Sequence, residues 1–189
     1  MIIVYYGDGK GKTTAALGIA LRSLGRGMTV AVLQFIKGDH GSGSSKDEGV
    51  VAWTSGEREV GKKFGIVEGK FLIKAVGEGF FGIEGDKLDP EKHRQAADSG
   101  MEEAEKIVRE GKYKVVILDE VIRALDEGLV DKDQLFNLID NAREQKIHLV
   151  MTGHRVDQDL VERVDLVTEM KKVKHPFDRG VFAEIGIDY

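Results

Sequence analysis

The sequence contains no cysteine. That excludes a disulfide framework, a thiolate metal site and a cysteine nucleophile in one step. It also lacks an excess of positive charge. Its 28 lysines and arginines stand against 33 aspartates and glutamates, a formal net charge of −5, so bulk electrostatics offers nothing to a nucleic-acid backbone. No apolar stretch approaches the roughly 20 residues that a membrane-crossing helix needs. The opening run Met1-Ile2-Ile3-Val4-Tyr5-Tyr6 has neither a basic leader nor a cleavage site, so it is not read as a signal peptide. The expectation is a soluble, cytoplasmic protein without membrane or nucleic-acid partners. With 189 residues, 41% hydrophobic and 32% charged, the chain suits one globular domain over residues 1–189.

What is present is an alternation of strand and helix patterns. Ile2 to Tyr6 is a continuous apolar run ending at glycine, as in a strand covered on both faces. Thr13 to Leu24 carries Ala16, Leu17, Ala20, Leu21 and Leu24 at helical spacing, and Gly25 and Gly27 stop it. A second buried strand is predicted over Thr29 to Ile36, and a weaker one over Phe71 to Val76. Asp89-Pro90 opens a helix whose inner stripe is Ala97, Met101, Ala104 and Val108, ended by Gly111. Tyr113 to Leu118 is the most strand-like run. Asp131 and Gln134 form a capping pair for a helix through Leu135, Leu138, Ile139 and Ala142. Strands at Ile147 to Met151, Leu166 to Val167 and Val181 to Ile187, and a short helix near Asp157 to Arg163, complete the pattern. The sum is an α/β chain with a mainly parallel central sheet covered on both faces. A variable loop is expected around residues 38–70; its part from Gly38 to Gly49, with Gly41, Ser42, Gly43, Ser44 and Ser45, reads either as a flexible surface loop or as a lid over a site.

The chemistry concentrates at Gly7-Asp8-Gly9-Lys10-Gly11-Lys12-Thr13-Thr14. This is a P-loop one residue shorter than the usual spacing, lying between a buried strand and a helix. Glycines let backbone N–H groups turn toward one anion, and the helix adds its positive end. Lys12 brings a full charge to nucleotide phosphates, and the Thr13 hydroxyl suits Mg²⁺. The expected fold is therefore the P-loop NTPase (RecA-like) three-layer arrangement, with ATP as the nucleotide. Asp119-Glu120, directly after the strongest strand, reads either as a Walker B carboxylate pair serving Mg²⁺ or as a helix cap. Beside a P-loop the metal reading is favoured. The five histidines show no metal-ligand spacing.

These residues resemble the ATP:corrinoid adenosyltransferases. The shortened loop at 7–14 resembles that family's phosphate loop, and Gln34-Phe35-Ile36-Lys37-Gly38 the segment closing its second strand. Gly77-Glu78-Gly79-Phe80 resembles the opening of its corrinoid-facing loop. Leu118-Asp119-Glu120 with Ala124-Leu125 and Gly128, then Thr152-Gly153, Asp165 to Met170 and Lys174-His175-Pro176-Phe177, follow in family order. The resemblance implies that the cobalt(I) of a reduced corrinoid attacks the 5′ carbon of ATP and expels triphosphate, in adenosylcobalamin biosynthesis or salvage. It implies Lys12, Thr13 and Glu120 as catalytic residues, with Glu120 nearer the Mg²⁺ than Asp119. Lys37, Phe80 and Phe81 fall on its corrinoid side; Lys37 reads equally as a solvated loop lysine. It further implies a homodimer and admits a flavoprotein as reductant. The chain departs from the pattern at Phe81-Gly82, at Ile122-Arg123, and in a longer stretch from Gly38 to Gly77 that contains Trp53. A binding paralogue without turnover and a generic P-loop ATPase are the alternatives.

Overall fold

The computed structural model describes residues 1–36, 56–63 (backbone only beyond 60), 69–77 and 89–187. Six strands, β1 (Ile2–Tyr6), β2 (Val30–Gln34), β3 (Phe71–Ala75), β4 (Val115–Asp119), β5 (His148–Gly153) and β6 (Leu166–Glu169), form one sheet. Its order is β3-β2-β4-β5-β1-β6, and every described pairing is parallel. The helices are α1 (Lys12–Gly25), α2 (Gly56–Lys63), α3 (Pro90–Glu110), α4 (Val121–Asp126), α5 (Lys132–Glu144) and α6 (Gln158–Arg163).

The strands alternate two apolar sets, one per face, because successive side chains point to opposite sides. Ile3, Val30, Val32, Val115, Ile117 and Val150 pack with Ala16 and Ala20 of α1. Ile2, Val4, Ala31, Leu33, Val116, Leu118, Leu149 and Met151 face the larger core, built with α3, α4 and α5. This is the three-layer α/β arrangement expected of a P-loop protein. The stripe of α3 is buried as its spacing predicts, and Met101 is fully enclosed; cutting it to alanine would cost about 2–5 kcal/mol.

The caps also follow the sequence. Asp89 accepts from the N–H of Glu91, with Pro90 at the first helical position, and Gly111 closes α3 in the left-handed conformation. Asp131 accepts from the N–H of Gln134 and Asp157 from that of Leu160.

Two expectations fail. Val181 to Ile187 forms no strand: after a 3-10 turn at Pro176–Arg179 the chain runs through turns to residue 187. Its apolar residues, Val181, Phe182, Ile185 and Ile187, are exposed. Gly180 and Gly186 sit at positive φ, which breaks an extended run, so the segment does not add to the edge strand β6. Within the stretch 38–70, residues 56–63 form α2 rather than loop. Helix α4 directly follows β4 and is too short for a periodic apolar signal.

Candidate functional site

The site gathers at the carboxyl ends of β1, β5 and β4, where ligands collect in open α/β sheets. The phosphate loop leaves β1 and enters α1. Gly7 and Gly11 both take positive φ, at 119° and 110°. A Cβ on Gly7 would lie 2.3 Å from the Met170 carbonyl oxygen, and one on Gly9 would lie 2.7 Å from it. The loop is this tight because the backbone after β6 clamps it. Met170 N–H donates to Tyr6 O at 2.7 Å, and Gly9 N–H donates to Met170 O at 2.7 Å. Gly7 N–H donates to His154 O at 3.1 Å, and Asp8 Oδ1 accepts from Lys172 N–H at 3.0 Å. That last bond holds the Asp8 carboxyl below its ordinary value.

The amides of Gly7 and Gly9 are thus used on the protein. Helix α1 supplies others. The N–H of Ala15 donates to Gly11 O, so the N–H groups of Lys12, Thr13 and Thr14 precede the first intrahelical donor. No acidic residue in the first turn offsets the positive end of the helix. Lys12 is 8% exposed, and its ammonium donates to Gly7 O at 2.8 Å and Gly9 O at 3.0 Å. Two of its three N–H donors therefore hold the loop around the charge. Lys10 and Thr14 are exposed.

β5 separates β1 from β4 in the sheet, and Thr152 on β5 bridges that gap. Asp119 Oδ1 accepts the hydroxyls of Thr13 and Thr152, each at 2.8 Å. Thr152 Oγ1 in turn accepts from Glu120 N–H at 2.8 Å. Asp119 is 1% exposed. Glu120 caps α4 at φ 62° and ψ 15°, a left-handed conformation that costs a non-glycine residue about 1–3 kcal/mol and collects at functional sites. Gln34, in register with Asp119 across β2 and β4, reaches Asp119 Oδ2 at 3.4 Å. Partial desolvation of the exposed His154 ring, with Lys12, Arg123 and Arg155 nearby, pushes its pKa below the ordinary value.

The loop of Gly7, Asp8, Gly9, Lys10, Gly11, Lys12, Thr13 and Thr14 and the pair Asp119 and Glu120 thus stand at the same end of the sheet, joined through the Thr13 hydroxyl, which Asp119 accepts. Lys37, Phe80 and Phe81, with Trp53 and Gly82, lie outside the described residues. Sequence reasoning assigned no role to Thr152, Gln34 or the backbone at Met170 to Lys172. Gln34 and Thr152 did carry a signal: each is a polar residue at the carboxyl end of a buried apolar run, Val30 to Leu33 and Leu149 to Met151. The clamp is made by backbone, which no side-chain pattern reveals.

The donor set suits a hard divalent cation. A hydroxyl and a carboxylate joined at 2.8 Å are the oxygen ligands or outer partners Mg²⁺ uses, since it takes few protein ligands and leaves the rest to phosphates and water. No cluster of three histidines or acids able to hold a metal occurs among the described residues.

Comparison with known proteins converges on the same chemistry. The sequence model of the family described as ATP:corrinoid adenosyltransferase BtuR/CobO/CobP matches residues 1–189. A corrinoid adenosyltransferase of a Sinorhizobium species is 35% identical over 190 residues, covering 100% of this chain and 80% of that protein. The corrinoid adenosyltransferase of Escherichia coli strain K12 is 33% identical over 189 residues, 100% of this chain and 85% of that protein. Corrinoid adenosyltransferase CobA of Salmonella typhimurium strain LT2 is 31% identical over the same span, again 100% and 85%. With its phosphate loop, buried Asp119 and full-length match to that model, the chain belongs to the ATP:corrinoid adenosyltransferase family.

Proposed function

We propose that this chain transfers the 5′-deoxyadenosyl group of ATP to the cobalt(I) of a corrinoid, with the residues of the phosphate loop and Asp119 carrying the leaving group. Cobalt(I), part of the substrate, supplies the electron pair of the new cobalt–carbon bond. The bond between the 5′ carbon and its oxygen breaks, and triphosphate leaves with the electron pair of that broken bond. No proton moves, so no general base is required. The protein's task is positioning plus stabilisation of a polyanion.

Lys12 and the N–H groups of Lys12, Thr13 and Thr14 form the cradle for the triphosphate. Asp119 and Thr13 would hold Mg²⁺, which supplies charge neutralisation on the phosphate oxygens. Asp119 takes the nearer place, because its Oδ1 already receives the Thr13 hydroxyl at 2.8 Å. Glu120 then serves the neighbouring shell. That contact is the single observation that carries the assignment. Lys37, Phe80 and Phe81 are assigned to the corrinoid side on family resemblance.

The decisive assay combines the protein with ATP, Mg²⁺ and chemically reduced cobalamin without oxygen. A light-sensitive cobalt–carbon product with stoichiometric triphosphate is expected. Tight corrinoid binding without that product would select a non-catalytic binding protein instead. Inorganic phosphate released without corrinoid would select an ATPase.

The reading extends to a single-domain cytoplasmic homodimer that receives its electrons from a flavoprotein. The exposed apolar side chains of Val173, Phe177, Phe182, Ile185 and Ile187, close together in sequence, are the segment that a second copy would cover. Sedimentation at micromolar concentration should give twice the chain mass of 20.8 kDa. Among the described residues no helix is long and apolar enough to cross a membrane.

A further inference from the structure

Gln34 ends β2 directly opposite Asp119, and its side chain is fully buried. Its Nε2 lies 3.0 Å from Glu57 Oε1 on α2 and 3.4 Å from Asp119 Oδ2. A primary amide has two N–H donors, so one serves each carboxylate. Its Oε1 is buried and has no hydrogen-bond partner among the described residues. An orphaned buried acceptor is unfavourable, so something must outweigh it. The two carboxylates do: the flipped amide would turn its oxygen against both, whereas the observed one makes two charge-assisted bonds. The contact to Asp119 is the longer of the two, so it depends on how Glu57 holds the other N–H.

We propose that Glu57 is a positioning residue for adenosyl transfer, acting through the Gln34 amide to set the Oδ2 edge of Asp119. The proposal rests on the reading that Asp119 serves the Mg²⁺ and triphosphate side of the site. Without Glu57 the amide loses the shorter of its two bonds and is no longer held at the angle that presents its other N–H to Asp119 Oδ2. Asp119 Oδ1 stays bonded to Thr13 and Thr152, so the carboxylate can swing about that edge without the site collapsing. Helix α2, which packs beside β3, thereby reaches a site built on β1, β4 and β5.

The test uses Glu57→Ala, Glu57→Gln, Asp119→Asn and the double variant Glu57→Ala/Asp119→Asn. Each is assayed for turnover against Mg²⁺, and for ATP binding by titration calorimetry with and without Mg²⁺. Thermal unfolding verifies that each is folded. Glu57→Ala should raise the Mg²⁺ concentration for half-maximal turnover and weaken Mg²⁺-dependent ATP binding, each by about threefold to tenfold, a size ordinary for coupled neighbours. ATP binding without Mg²⁺ should not change. Glu57→Gln, which keeps an acceptor oxygen, should restore most of the loss. The double variant should be no worse than Asp119→Asn alone. If Glu57→Ala leaves Mg²⁺ dependence unchanged, or adds in full to Asp119→Asn, the relay is overturned while the role of Asp119 stands. If Asp119→Asn itself is without effect on Mg²⁺ dependence, the assignment of the site falls first and the relay with it.

Discussion

Two polar clusters in this protein use much the same residue types at much the same distances. At the end of the sheet, Asp119 accepts the hydroxyls of Thr13 and Thr152 at 2.8 Å, and Lys12 holds the carbonyls of Gly7 and Gly9 at 2.8 and 3.0 Å. On the surface, Lys132 lies 2.6 Å from both Asp157 and Asp159, and Arg163 lies 2.7 Å from Asp140. Both cations also flank the Phe136 ring, at 5.3 and 4.6 Å from its centre. The surface contacts are the shorter ones, yet length does not rank them. Water competes for every surface charge and salt screens it. The site's groups are enclosed, so a partner removed there leaves a buried polar group unsatisfied, a loss of about 1–3 kcal/mol. The same chemistry is exposed to water in one place and enclosed in the other, and burial makes the difference.

The comparison breaks first, if it breaks, at the phosphate loop. Lys12→Ala should reduce turnover by about 10²-fold or more, because it removes a desolvated charge from the leaving group. Near-normal kinetics would falsify the loop assignment and shift it to Lys10. Gly7→Ala should be comparably damaging for a different reason: its Cβ would meet backbone oxygen at 2.3 Å, with φ at +119°. Soluble, active Gly7→Ala protein would mean that the Met170 clamp is not rigid.

The next effect divides the two carboxylates. Asp119→Asn should raise the Mg²⁺ requirement by about tenfold, the loss of a charge beside the metal, and Glu120→Gln by less. Titration of activity against Mg²⁺ separates them. A larger effect of Glu120→Gln would return the metal to the residue that family resemblance favours.

A smaller effect concerns acid. Partial burial, then Lys12, Arg123 and Arg155, hold His154 below its ordinary pKa of 6.5 in the folded chain. The unfolded chain therefore binds the proton first as pH falls. The stabilisation is fully present above that value and is lost as acid protonates the folded ring. Urea midpoints measured from roughly pH 7 to pH 5 should fall less steeply for His154→Gln than for the parent. An equal slope would assign the acid sensitivity elsewhere, with His148, also lowered by burial, the first to examine.

The smallest effect tests the surface half of the comparison. Lys132→Ala should leave turnover unchanged and move the melting temperature by less than about 3 °C. The hydrogen bond from Lys132 holds Asp157 below its ordinary pKa, so the contribution of Asp157 persists above the unfolded carboxylate range and fades only in acid. A loss of turnover on removing Lys132 would show that exposed charge reaches the site after all.

Much of this was legible because it is local. The caps at Asp89, Asp131 and Asp157 depend on one side chain and a backbone N–H two or three residues on. The stripe of α3 follows from helical period alone. The phosphate loop is likewise a short, contiguous geometry that glycine spacing announces. The run at Val181 to Ile187 misled because apolar residues show only a capacity to pair, while Gly180 and Gly186 at positive φ turn the backbone out of the extended form pairing needs. Helix α2 was hidden by a charged sequence with no apolar stripe to mark it.

Sequence by itself determined the family, the phosphate-binding chemistry and the alternation of strands and helices, since each is written in neighbouring residues. Tertiary structure alone decided the strand order that sets β5 between the loop and Asp119. It also decided the Thr152 bridge across that gap, the Met170 carbonyl that forbids a side chain at Gly7, and the reach of Glu57 to Gln34. Those contacts join residues between 23 and 163 positions apart in sequence. No periodicity spans such distances; only packing of the whole sheet brings their atoms within hydrogen-bond range.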